Sequence, residues 1–410
     1  MVKELYNQEK LLTNDTKEIL KIIRSFYEKL YAINEVVDDK DSFFLVDIPK
    51  LSEEKKDICE GKVTRNECFN VLNDMKLNKS PGNDGFTVEF YVTFWPVLGE
   101  TLVETLNESY EREKLTTSQK QGVITLLEKE GKDAKYVQNY RPITLLNVDY
   151  KILSKVLAKR IKEVLSGIVH YDQVGYIKDR NIGEAVRLID DMLFHSLNNT
   201  NGYLVTKDFE KAFDSVAHNF VFKILKLFGF GDSFCLWVKI LYTDITSCVM
   251  NGGHSTGYFN IERGVRQGDP LSPYLFLLAI EILALAVRRD KTIQGIKFGE
   301  FEIRQILYAD DISLFVRDAQ SVNRLQYIFD EFGKVSGLKV NKGKTNFLWM
   351  GKENERPEIQ LFGKLVYEVK ILGVYFSRDV TVKESLNFKE ILSKIKRLRV
   401  VEGKGFDSDG

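Results

Sequence analysis

The 410-residue chain is 44% hydrophobic and 12% aromatic, and its 59 lysines and arginines equal its 59 aspartates and glutamates. That composition fits an ordinary globular protein of two or three subdomains, and the balanced charge carries no bulk signature of a nucleic-acid binder, so charge has to be read patch by patch. Cys59, Cys68, Cys235 and Cys248 form no C-x-x-C pair and, with four scattered histidines, no zinc spacing; a reduced, intracellular chain is expected, without a choice between nucleus and cytoplasm. The start "MVKELYNQEK" is not a signal peptide. The longest apolar run, residues 271 to 287, contains Glu281 and is shorter than the roughly 20 residues needed to span a bilayer. It predicts a buried helix and no membrane association.

In chain order, "DTKEILKIIRSFYEKLYAI" (15 to 33) has a helical apolar period with Asp15 or Thr16 as N-cap. "VVDDKDS" and "IPKLSEEKK" read as loop and linker. Thr64 with Glu67 three residues on opens a capping-box helix, "TRNECFNVLNDMKL". Turn formers crowd "NKSPGNDGF" before a helical stretch over 87 to 114. A strand and loop fit 122 to 146. Lys151, Lys155 and Lys159 then share one helix face, flanked by Arg160 and Lys162. That face is either solvated or a nucleic-acid contact. "YLVTK" reads as a strand before Asp208, "FVFKILKLFGF" and "FCLWVKILY" as helices, and "ILYADDISLFV" as a hairpin. The helix from Ala319 ends near Gly337, and strands "TNFLWMG" and "YEVKILGVYF" follow. Strands and helices interleave without a strict βαβ rhythm, so the expected class is α+β: a largely antiparallel sheet packed with helices.

The chemistry concentrates on carboxylates. Asp310 and Asp311 sit at a predicted hairpin tip, where desolvation and mutual repulsion disfavour them unless a cation binds. Alone, the pair fits a solvated turn. Asp208 ends another apolar strand, and if the strands are neighbours all three carboxylates converge. Hard oxygen ligands without a dedicated cage suit Mg²⁺, and two such ions suit in-line phosphoryl displacement. Asp214, six residues beyond Asp208, reads as structural. Phe213 fits either core packing or a place under a nucleotide sugar.

At these residues the chain resembles the reverse transcriptase domain of non-LTR (LINE-type) retrotransposons. The similarity runs in order from about residue 75 to about 380 through "KSPGNDGF", "YVQNYRPITLLNVDYKILSKVLAKRI", "DQVGYIKDRNI", "DFEKAFD", "GVRQGDPLSPYLF", "YADD", "SGLKVNKGKT" and "KILGVYF". The resemblance implies Asp208, Asp310 and Asp311 as metal-binding catalytic carboxylates, with the Phe209 carbonyl as a further metal ligand. It implies Phe213 as the gate against a 2′-hydroxyl and Arg141 as a grip on the incoming triphosphate. Gln267 and Gly268 would line the nucleotide and template pocket, and Lys344, with Lys342 as rival, would protonate or neutralise pyrophosphate. Lys129 is a further phosphate contact, although "LLEKEGKD" lacks the proline common in the family before that lysine. Lys151, Lys155, Lys159 and Arg160 would hold nucleic acid.

The implied architecture is a right-hand polymerase with a truncated thumb. Its parts are a helical N-terminal extension (1 to 74), fingers (75 to 200), palm (201 to 380) and a thumb start or non-native tail (381 to 410), with the reverse transcriptase domain at about 119 to 380. The implied cofactor is a pair of Mg²⁺ ions, with Mn²⁺ as substitute, and the implied partners are an RNA template, a DNA primer and dNTPs. No endonuclease segment is visible. The alternative is an inactive retrotransposon-derived fragment that folds and binds RNA without polymerising. A group II intron-type maturase and a two-metal phosphodiesterase fit less of the pattern.

Overall fold

A computed structural model describes residues 1–33, 43–199 and 201–402, and "VVDDKDS" and residues 403–410 lie outside the described residues. Two sheets organise the molecule. In the first, β1 (Gln121–Glu128) pairs antiparallel with β2 (Tyr140–Leu146). It also pairs in parallel with β4 (Thr246–Asn251). The second contains β3 (Tyr203–Lys207), β5 (Gln305–Tyr308), β6 (Asp311–Val316), β7 (Asn346–Trp349) and β8 (Lys364–Val366), in the order β5-β6-β3-β7-β8. All its pairs are antiparallel except β7 with β8. The expected mixed, largely antiparallel α+β arrangement is therefore present.

β3 opens with three apolar residues, Tyr203, Leu204 and Val205, because both faces of this sheet are covered. Val205, Leu314 and Phe347 enter the main core, while Leu204, Phe315 and Leu348 enter a second cluster with Ile189 and Ile306. Alternate side chains of one strand thus serve two cores.

Among the helices, α1 (Thr16–Tyr31) starts at Asp15, whose side chain accepts the Glu18 N–H. "IPKLSEEKK" was expected to be linker, but it contains the start of α2 (Glu53–Cys59). Ser52 caps its first turn, and Glu53 and Glu54 suit the positive helix end. In α3 (Arg65–Asn73) the Thr64–Glu67 capping box forms. Both α2 and α3 pack on α4 (Val148–Val164). The predicted buried helix is α5 (Ser272–Arg289), which packs against the helix His218–Leu227 and against α6 (Ala319–Ser336). Gly337 ends α6 at φ 80°, as the sequence indicated.

"YEVKILGVYF" is a hairpin rather than one strand. Glu368–Ile371 pairs with Val374–Ser377. Leu372 and Gly373 both have positive φ, the twist a two-residue turn needs. The last helix, Val380–Glu402, extends the helical pattern beyond "IKRLR". All four cysteines are free and buried. Among the described residues no helix is long and apolar enough to cross a membrane.

Candidate active site

The register of the second sheet builds the carboxylate cluster. Antiparallel β3 and β6 end with Lys207 opposite Ile312. One step further along the same register sets Asp208 against Asp311. Tyr308 pairs with Asp311, so Ala309 and Asp310 form the two-residue turn between β5 and β6, with Ala309 at φ 55°. The condition read from the sequence, that the two strands be neighbours, is met.

A neighbouring segment clamps the end of β3. The Asn341 N–H donates to the Asp208 carbonyl at 2.9 Å, and the Glu210 N–H donates to the Lys339 carbonyl at 2.9 Å. The helical turn Lys342–Lys344 that follows brings Lys344 Nζ onto the Asp208 carboxylate. The side chain of Lys342 lies outside the described residues.

These residues face a cleft of about 480 Å³. It gathers Asp208, Phe209, Phe213, Asp310 and Lys344 from the second sheet and its connections, Lys129 and Arg141 from the first, and Gln267 and Gly268 from the loop before α5. The scattered candidates from the carboxylate and resemblance readings therefore share one site, apart from the lysine face of α4 and Asp311, which the strand register sets beside Asp208 but which does not line the cleft. Partial burial, then the adjacent Asp310 and Asp208 charges, push the Asp311 carboxyl up to about 6, although its edge faces solvent. Burial and the Asp208 charge also raise Asp310. Lysines respond in the opposite sense. Desolvation, then Lys344 and Arg141, lower Lys129. Burial lowers Lys211 to about 8. Lys129 Nζ donates to the Gln138 carbonyl at 2.9 Å, whereas Arg141 is exposed.

The carboxylate set has the hard-oxygen chemistry of a Mg²⁺ site that takes its other ligands from water and phosphate. Among the described residues, however, no three His, Cys, Asp or Glu side chains are drawn close enough to hold one ion by themselves. Asp208 is instead turned toward Lys344.

Several candidates also carry a structural role beside the one read in sequence. Gly268 sits at φ 110°, and a Cβ there would lie 2.7 Å from the Thr144 carbonyl oxygen. The glycine is required by the close approach of this loop to β2, which the Thr144 N–H to Gln267 carbonyl bond (2.8 Å) also ties down. Phe213 stacks on Phe276 with centroids 4.6 Å apart while still lining the cleft, so packing and site placement coexist.

Arg160 leaves the predicted nucleic-acid face. It is buried, paired with Glu67 at 2.7 and 3.0 Å, and donates to the carbonyls of Cys59, Glu60, Gly61 and Lys62. Its fork closes the α2–α3 connection onto α4, the geometry for which guanidinium is suited. On the same helix Lys159 is exposed and pairs with Asp74 at 2.7 Å. Lys151 and Lys155 are half-buried, and burial lowers both.

Sequence reasoning missed two supports. Gln173, in "DQVGYIKDRNI", is buried, and its Oε1 accepts the N–H groups of Gly175 (2.9 Å) and Ala309 (3.0 Å). Its place in a run of turn formers was the available signal. Tyr31 Oη donates to Asp214 Oδ1 at 2.8 Å. Its position at the end of an amphipathic helix gave no hint of it.

The family described as "Reverse transcriptase (RNA-dependent DNA polymerase)" matches residues 127–376. The Transposon TX1 uncharacterized 149 kDa protein of Xenopus laevis is 33% identical over 98% of this chain and 31% of its own length. The Pol polyprotein from the type-2 retrotransposable element R2DM of Drosophila melanogaster is 31% identical over 52% of this chain and 20% of its own length. The RNA-directed DNA polymerase from mobile element jockey of Drosophila melanogaster is 24% identical over 78% of this chain and 36% of its own length. The chain thus spans about a third or less of the length of these relatives.

Proposed function

Because the chain belongs to the reverse transcriptase family, among the polyproteins of non-LTR retrotransposons, we propose that it performs RNA-templated addition of deoxynucleotides to a primer 3′-hydroxyl. The new bond joins the primer oxygen to the α-phosphorus, the α–β phosphoanhydride breaks, and pyrophosphate leaves. The observation that carries this reading is the single cleft in which Asp208 and Asp310 face Arg141, Lys129 and Lys344.

Asp208, Asp310 and Asp311 would hold two Mg²⁺ ions, which when bound supply Lewis acidity for the primer hydroxyl and offset charge on pyrophosphate. Arg141 presents an exposed fork to the triphosphate oxygens, with Lys129 beside it. Lys344 stands where it can neutralise or protonate departing pyrophosphate. Phe213, seated on Phe276, forms a rigid wall against the sugar. Gln267 and Gly268 line the same cleft, with the Phe209 carbonyl as a further metal ligand. Lys151, Lys155 and Lys159 meet the backbone of the template or primer.

In this reading residues 1 to 74 are an N-terminal extension, 75 to 200 fingers, 201 to 380 palm, and the helix from Val380 enters the thumb. The test is primer extension on an RNA template with dNTPs and Mg²⁺, beside Asp310→Ala and Asp311→Ala. Extension by the parent alone supports the reading. No extension from folded, RNA-binding parent protein supports the inactive, RNA-binding alternative.

A further inference from the structure

The helix preceding the matched region reaches the nucleotide site. Residues Thr16–Tyr31 lie outside 127–376, yet Tyr27 and Leu30 line the cleft. Tyr31 is fixed from several directions. Its carbonyl accepts the Glu262 N–H at 3.0 Å, and Arg263 Nε donates to the adjoining Leu30 carbonyl at 2.6 Å. Its ring stacks with Tyr27 and Phe259, at centroid distances of 6.1 and 6.4 Å.

The hydroxyl of this immobilised ring donates to Asp214 Oδ1 at 2.8 Å. Asp214 is 4% exposed, and Gln267 Nε2 donates to each of its oxygens at 3.1 Å. An amide has donors at one end and an acceptor at the other. With the Gln267 NH₂ committed to Asp214, its carbonyl end is the one left for a ligand. Without the tyrosine hydroxyl, Asp214 loses one of the donors that fix its plane, and the amide loses its fixed anchor.

We infer that Tyr31 is a positioning residue for the incoming nucleotide, acting through Asp214 to orient the Gln267 side chain in the cleft. The inference rests on the reading of Gln267 as a nucleotide contact and extends the site to a helix outside the matched region. The deletion that isolates it is Tyr31→Phe, which keeps the ring and removes only the hydroxyl.

The experiment is calorimetric titration of dGTP, with Mg²⁺, into the full chain bound to an RNA template and a dideoxy-terminated primer. The proteins are the parent, Tyr31→Phe, Gln267→Ala and the double variant, each with its thermal midpoint. Tyr31→Phe should weaken dGTP binding about three- to tenfold, the effect of one hydrogen bond, with primer–template affinity unchanged. The double variant should bind dGTP no more weakly than Gln267→Ala alone, because the hydroxyl acts only through the amide. In single-nucleotide addition the same change should raise KM for dGTP and leave kcat within about twofold.

Unchanged dGTP affinity in Tyr31→Phe, beside weakened affinity in Gln267→Ala, overturns the inference and spares the reading of Gln267. Additive losses in the double variant also overturn it, as does a fallen thermal midpoint with unaltered affinity. Unchanged affinity in Gln267→Ala overturns the underlying nucleotide contact and the inference with it.

Discussion

The side-chain carbonyl of Gln173 accepts the backbone N–H of Ala309 at 3.0 Å, so the turn carrying Asp310 hangs from a buried amide on a separate segment. The two segments also share backbone bonds. The Val174 N–H donates to the Leu307 carbonyl, and the Leu307 N–H to the Asp172 carbonyl, both at 2.8 Å. A Cβ on Gly175 would lie 2.6 Å from the Ala309 nitrogen. Ala309 holds φ 55°, a conformation that persists only where its surroundings impose it. Gln173→Met keeps the volume and removes the acceptor from two buried N–H groups. It should lower stability in urea unfolding by about 1–3 kcal/mol and reduce primer extension. Unaltered extension would show that the turn holds its shape without the brace.

Arg160 and Lys155 lie on one helix and should behave in opposite ways. Arg160→Ala removes the partner of part-buried Glu67 and the donor to several carbonyls, and should cost about 1–3 kcal/mol. Lys155→Ala removes a half-buried ammonium that has no ion-pair partner among the described residues, and should shift stability by no more than about 0.5 kcal/mol. It should lower the slope of log K against log salt for RNA binding by roughly 1. An unchanged slope in the combined Lys151→Ala, Lys155→Ala, Lys159→Ala variant would falsify the assignment of this face to nucleic acid.

Lys344 contacts Asp208 at the cleft. If it serves pyrophosphate, Lys344→Ala should reduce kcat for nucleotide addition by about 10²-fold or more, leave RNA affinity unchanged and be partly rescued by Lys344→Arg. A loss confined to protein stability would make the contact purely structural.

Glu281, the charge inside the apolar run, is buried in α5, and burial pushes its carboxyl from 4.5 up to about 8 against the opposing pull of Arg288. The folded chain therefore binds this proton more tightly than the unfolded chain. Its contribution is fully present below the unfolded value of 4.5 and is lost as pH rises toward about 8. Thermal midpoints should fall as pH rises from about 4.5 to about 8 in the parent and fall less in Glu281→Gln. Equal slopes would place the proton elsewhere.

Local signals carried much of the fold. Asp15 and Thr64 cap helices because their side chains reach N–H groups three residues away. Gly337 stops α6 because it adopts a positive φ freely. Ser52 was passed over because α2 is only seven residues long and shows little periodicity. The Leu372–Gly373 turn was hidden inside an unbroken apolar run.

By itself the sequence determined the identity and spacing of the candidate catalytic groups. Asp208, Asp310, Asp311, Arg141, Gln267 and Lys344 were nameable because local motifs and their order carry that information. Tertiary structure decided what each group faces. The β3–β6 register sets Asp208 opposite Asp311, whereas Arg160 turns inward to Glu67. Gln173 supports Ala309 across 136 residues, and Tyr31 reaches Asp214 across 183. No local pattern encodes such pairs. They form when packing brings distant segments together and buried donors and acceptors must find partners.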